Sequence, residues 1–125
     1  MAKSLSQAGY DALLDLLATC TIMVACSAQP TTYTELTSTY ALADVTLSGG
    51  DFTKATGDGG SPARKVTVGA KTGVTIDSSG TATHVGHGIS GSSTLVWVTT
   101  CTSQALTSGN TVNFPAHKHE VSAIA

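Results

Sequence analysis

The chain reads as a mainly β protein: an antiparallel β-sandwich or small barrel with one N-terminal amphipathic α-helix. Three observations predict this. Short runs of branched residues recur after residue 20, each closed by a Gly-, Ser- or Asp-rich turn. Only one segment, at the N-terminus, carries a helical apolar period. With 125 residues, the chain has one domain's length, enough to bury a core without metal or disulfide staples. The expected organisation is a single domain, 1–125, with a helix over 4–20 and a β-rich body over 21–125.

The helix is expected in SLSQAGYDALLDLLATC. Ser4 and Gln7 have capping-box spacing. Leu13, Leu16, Leu17 and Cys20 fall at i, i+3, i+4 and i+7, which aligns them as one apolar stripe. Asp11 and Asp15 lie one turn apart on another face and read as a solvated pair near the positive end of the helix dipole.

CTIMVAC then reads as a short buried strand. SAQPTTYTELTSTY reads as a loop, because Pro30 cannot continue a paired strand. YALADVTL is a strand or short mixed segment, and SGGDFTKATGDGGSPA a long turn-rich loop with GDGG at its tip. RKVTVGA, GVTID, GTATHVGHGI, STLVWVTT and NTVNFPA follow as short strands, separated by AKTG, DSSG, SGSS and LTSGN. Val66 and Val68, and Val74 and Ile76, alternate as a half-buried strand requires. Leu95, Val96, Trp97 and Val98 are apolar on both faces. That predicts a central strand covered on both sides by the helix or a neighbouring chain, with Trp97 in the core.

Charged residues make up 11% of the chain, well below the roughly 25% usual in soluble domains. Threonine is the commonest residue, so the surface is expected to be hydroxyl-rich and uncharged. The net charge is −2, and the basic residues are scattered, with only Arg64 and Lys65 adjacent; this is no nucleic-acid footprint. No run of eighteen apolar residues exists, and MAKSLSQAGY lacks the apolar core of a secretory signal. The expectation is a cytosolically made protein without membrane or nucleic-acid partners.

Chemistry-bearing residues are sparse. In HKHE, His117 and His119 share a face if the segment is a strand, while Glu120 points to the other. They are the weak metal candidates, since a site within one chain needs one or two further ligands. The bland alternative is an exposed or hydrogen-bonded strand end. Three copies around a three-fold axis are the sharper one. His84 and His87 fall on opposite faces of a regular strand unless Gly86 and Gly88 introduce a bulge. GDGGSPARK is not a phosphate-binding loop, and GHGISGSS lacks the helix that follows a nucleophile elbow. No cofactor motif and no catalytic residues are identified, and the chain is not expected to be an enzyme. A soluble sugar-binding module would instead need aromatics exposed on one sheet.

Three cysteines leave at least one unpaired within the chain. Cys20 and Cys26 would stand about 20 Å apart along a strand. A disulfide spans roughly 7 Å at most between Cα atoms. Cys101 could bridge either one, or all three could be buried free thiols or inter-chain thiols.

The run YDALLDLLATCTIMVACSAQPTTYTE, followed in order by RKVTV, GTATH, TSQALTSGNTV and a closing strand, resembles a family of small virion proteins of tailed bacteriophages. Its recognised pieces span most of the chain: the leading helix, the strand ending in Cys26 to Thr31, and the strand carrying His84. Two departures stand out. VGHGISGSS is glycine-rich where such proteins carry an apolar, acid-containing strand, and AHKHEVSAIA replaces an acidic apolar end. The resemblance implies a capsid decoration, or cement, protein that binds the outside of the major capsid shell and stabilises it. Its implied partners are the major capsid protein and copies of itself, as a homotrimer, located in the virion. The alternative is a tail, neck or fibre component, including a receptor-binding module. Particles released into an oxidising medium could carry inter-chain bridges through Cys20, Cys26 or Cys101.

Overall fold

The computed structural model describes residues 7–58 and 64–121. It is mainly β and antiparallel, as the alternation predicted. Helix α1 covers Gln7–Ala18. Among the described residues nine strands follow: β1 Ile22–Cys26, β2 Ala41–Thr46, β3 Phe52–Thr56, β4 Arg64–Val68, β5 Lys71–Thr75, β6 Gly80–Ile89, β7 Thr94–Leu106, β8 Thr111–Phe114 and β9 His117–Val121. They form a four-stranded sheet ordered β2-β1-β6-β7, a three-stranded sheet β3-β4-β9 and a pair β5-β8. A single bridge between Ala43 and Ile76 ties β2 to the end of β5.

Alternation along β1 explains how the layers assemble. Met23 and Ala25 face the main core, which also takes Leu14 and Leu17 of α1, Val66 and Val68 of β4, and Phe114 of β8. Val24 and Cys26 face the other way, into a smaller cluster under residues 30–40. The four-stranded sheet is therefore covered on both faces, by α1 and the small sheets on one side and by a loop on the other.

That loop is more ordered than Pro30 suggested. Residues Glu35–Thr39 form a π-helical turn whose Leu36 is fully buried. The turn is nucleated by polar side chains: Glu35 Oε1 accepts from the Thr31 amide at 2.8 Å, and Thr32 Oγ1 accepts from the Glu35 amide at 3.1 Å. Tyr33 and Tyr40 pack against the same small cluster and anchor the loop to the sheet.

Leu36 sits where β6 has no side chains. A Cβ on Gly86 would lie 2.4 Å from Leu36 Cδ1, and one on Gly88 would lie 2.9 Å from both Leu36 Cδ2 and the Thr94 carbonyl. The glycine-rich stretch is thus a seat for Leu36. The β6–β7 ladder shifts register between His87 and Gly88, beyond the His84–His87 stretch, so those two histidines keep the opposite faces of a regular strand.

Other expectations need correction. The buried stripe of α1 is Leu14, Leu17 and the following Cys20, whereas Leu16 is 55% exposed; the side chain of Leu13 and all of Ser4 lie outside the described residues. Asp11 and Asp15 are not merely solvated. Asp11 accepts from Arg64 Nε at 2.8 Å and Asp15 pairs with Lys54, so the helix is clamped onto β4 and β3. The stretch FTKAT, expected within a loop, is strand β3, paired residue by residue with β4. Part of the GDGG tip lies outside the described residues. The tryptophan strand is not central. β7 runs for 13 residues, through CTSQAL, and forms the end of its sheet with Leu95 to Thr99 only half-buried. Two faces of apolar side chains indicated double coverage, but hydrophobic spacing carries no information about which backbone edge is paired.

Candidate functional site

Three strands bring His87, Trp97, His117 and His119 together. Met23 pairs with His87 in the β1–β6 ladder, so His87 points into the main-core side of the sheet. His84 pairs with Cys26 and belongs to the opposite face, as regular alternation requires. His87 pairs with Trp97 across β6–β7. The rings stack with centroids 4.2 Å apart and planes 3° from parallel. From the other layer, β9 pairs with β4 and places His117 and His119 on one face. His119 meets the Trp97 ring edge-on. HKHE is thus a paired strand whose imidazoles turn inward, not an exposed strand end. Glu120 faces away and accepts from the Asp58 amide at 2.7 Å.

Hydrogen bonding assigns the tautomers. The Pro115 carbonyl can only accept, so His117 Nδ1 carries the proton in their 3.1 Å bond. In the neutral imidazole His117 Nε2 is then an acceptor, to which His87 Nε2–H donates across 3.3 Å. This leaves His87 Nδ1 as a bare acceptor. Both that atom and Trp97 Nε1 are buried without a hydrogen-bond partner among the described residues. His87 is fully buried.

Burial sets the electrostatics. It disfavours the imidazolium and pushes His87 down to about 3, with His117 and His119 adding like-charge repulsion. His119 is likewise pushed down to about 4 by burial, then by His117. At neutral pH His87 and His119 are uncharged, and both rings pack against Trp97 where the two layers meet.

Beside it lies a cleft of about 340 Å³, lined by Val85, Thr99, Cys101, Phe114, Pro115 and His117. Cys101 is half-buried and its thiol is pushed up by burial, so it is protonated and weakly nucleophilic at neutral pH. Cys20 and Cys26 are buried, pushed up by burial to about 11 and about 12. All three cysteines are free thiols.

His117 and His119, the metal candidates, have ring centroids 6.4 Å apart and lie at 84° to each other, turned onto Trp97 and His87. Among the described residues no three His, Cys, Asp or Glu side chains are arranged to hold a metal ion. His87 had no sequence signal beyond its alternation, because its partner in β9 lies 30 residues away in the chain.

No family model, curated protein or solved structure matches this chain. No helix among the described residues is long and apolar enough to cross a membrane.

Proposed function

We propose that this chain is a virion structural protein of a tailed bacteriophage, a capsid decoration protein that binds the outside of the major capsid shell and stabilises it. The ordered set of segments running from the leading helix through RKVTV, GTATH and TSQALTSGNTV carries the reading. The chemistry of the surface supports it. Strand β7 presents Thr94, Thr100, Thr102, Ser103 and Gln104 to solvent, all uncharged. Such a surface suits repeated weak contacts, where copy number on a shell supplies the avidity that one patch lacks. Its partners in this reading are the major capsid protein and further copies of itself.

A sugar-binding module is less well supported, because Trp97 is stacked by His87 and abutted by His119 instead of standing free as a platform. Immunogold labelling of purified phage particles with an antibody to this chain tests the proposal. Gold over the head is the expected result. Gold confined to the tail or neck would move the assignment to the alternative virion role, and absence of the chain from purified particles would overturn both.

A further inference from the structure

Every antiparallel sheet that does not close has edges, and natural proteins blunt them with charge, proline or brevity. This chain does so at most of its outer strands. Lys54 lies on β3, Asp44 on β2, Lys71 on β5, and Lys118 and Glu120 on β9. Strand β8 is uncharged but only 4 residues long and runs into Pro115. Strand β7 is the exception. It ends the order β2-β1-β6-β7, spans 13 residues and contains neither a charged residue nor a proline. Among the described residues no strand pairs with its outer edge.

Its side chains are equally incomplete. Leu95, Val96, Trp97 and Val98 are half-buried, with apolar groups on both faces of the sheet. Bulges interrupt the β6–β7 ladder between His87 and Gly88 and between Ala82 and His84. Between them, Trp97, Val98, Thr99 and Thr100 pair one-to-one with His87, Gly86, Val85 and His84. This is the regular stretch of the strand, and the one geometrically ready to accept a further strand.

The absence of charge identifies the occupant. An antiparallel strand from a second copy brings one residue opposite itself at the two-fold axis and pairs its neighbours symmetrically about that axis. A charge near that axis would be repeated close by on the facing strand, and like charges so placed are destabilising. A foreign strand is normally selected by complementary charge and excluded by mismatched charge. β7 offers no charge to select with, and none to repel itself. It offers threonines, whose cross-strand pairs are favourable, and β-branched apolar residues that an identical strand would cover equally. An isologous contact of this kind closes on two copies.

We infer that the outer edge of β7 is a self-association surface: a second copy of this chain pairs with it, antiparallel, about a two-fold axis within Trp97–Thr100. The pairing joins two four-stranded sheets into one continuous sheet. It stands independently of the virion assignment, which particle labelling tests separately. It replaces the homotrimer implied by the resemblance with a two-fold pair.

The test uses the full chain in solution. Light scattering coupled to size exclusion should give twice the 12.6 kDa chain mass. Thr100→Lys combined with Thr102→Lys places lysines at two exposed positions of β7 and should halve that mass while circular dichroism stays β-rich. Thr53→Lys, an exposed change on β3, should leave the mass at two chains. A monomer or a trimer for the unmodified chain overturns the inference, as does a double variant that is folded and still dimeric. Should that variant fail to fold, hydrogen exchange of the unmodified chain decides. Protection of the 97–100 amides that rises with protein concentration supports the edge pair, and concentration-independent exchange there overturns it.

Discussion

The imidazole of His87 lies flat against the indole of Trp97, with ring centroids 4.2 Å apart and planes 3° from parallel. The contact joins neighbouring strands β6 and β7, and His117 and His119 of β9 close over it from the other layer. Because the indole is covered on two sides, its fluorescence should be weakly quenched by acrylamide in the folded protein and strongly quenched in denaturant. Trp97→Ala should destabilise the fold by about 3 kcal/mol, the lower end for removing a large aromatic, since the ring is only half-buried. Denaturant unfolding curves measure that loss. Equal quenching of folded and unfolded protein would show that the ring is open to solvent and the stack is not formed.

Acid should loosen the same cluster. The folded-state values of His87 and His119 are depressed to about 3 and about 4, below the ordinary histidine value of 6.5. Between those values the unfolded chain binds protons that the folded chain refuses. The contribution is therefore fully present above about pH 6.5 and is lost as pH falls toward 4 and then 3. At 1.36 kcal/mol per unit, His87 alone sets an upper bound of about 5 kcal/mol, and half-exposed His119 adds less. Calorimetric melting between pH 7 and 4 should show a falling Tm. The fall should be shallower in His87→Gln, which removes the titration but not the carboxylates. An identical slope in that variant would assign the acid sensitivity elsewhere.

The parts legible in the sequence were those written in local spacing. Val66 and Val68 alternate into the core, both fully buried, and β1 sends Met23 and Val24 to opposite faces. The parts that escaped were non-local or encoded by polar side chains. Nothing in STLVWVTT says that its outer edge is unpaired, because an edge strand and a central strand can share one apolar pattern. The helix face was misphased for a related reason. Four leucines in DALLDLL support two overlapping stripes, and the ion pairs of Asp11 with Arg64 and Asp15 with Lys54 accompany the one that buries Leu14 and Leu17. The turn at 35–39 did leave a signal, the threonines one turn ahead of Glu35, which is a helix-start pattern placed beyond a proline. His87 joined His117 only through the packing of two sheets, which no spacing along the chain encodes.

Thiol chemistry offers a direct check on burial. Cys20 and Cys26 are nearly inaccessible, with thiols pushed up to about 11 and about 12, so both should be silent to a thiol reagent at pH 8 in the folded protein. Cys101 is half-buried beside the cleft and should react slowly. All three should react at once in denaturant. A titration returning two or three fast thiols from folded protein would contradict the buried placement of Cys20 and Cys26.

Gly86 and Leu36 make the sharpest mutational test, because each explains the other. A methyl on Gly86 would meet Leu36 Cδ1 at 2.4 Å, so the π-helical turn must lift or the strand must shift. Overpacking of this kind costs about 1–3 kcal/mol, and Gly86→Ala should fall within that range. Leu36→Ala removes a fully buried side chain and should cost about 2–5 kcal/mol through the cavity it leaves. The two losses should not add. In the double variant the new methyl occupies space the leucine vacated, so the combined loss should be smaller than the sum by more than the ~0.5 kcal/mol scatter seen for independent sites. Urea unfolding of the four proteins in the cycle measures this. Strict additivity would mean that Leu36 does not rest on the glycines, and that the loop covers this face of the sheet by some other contact.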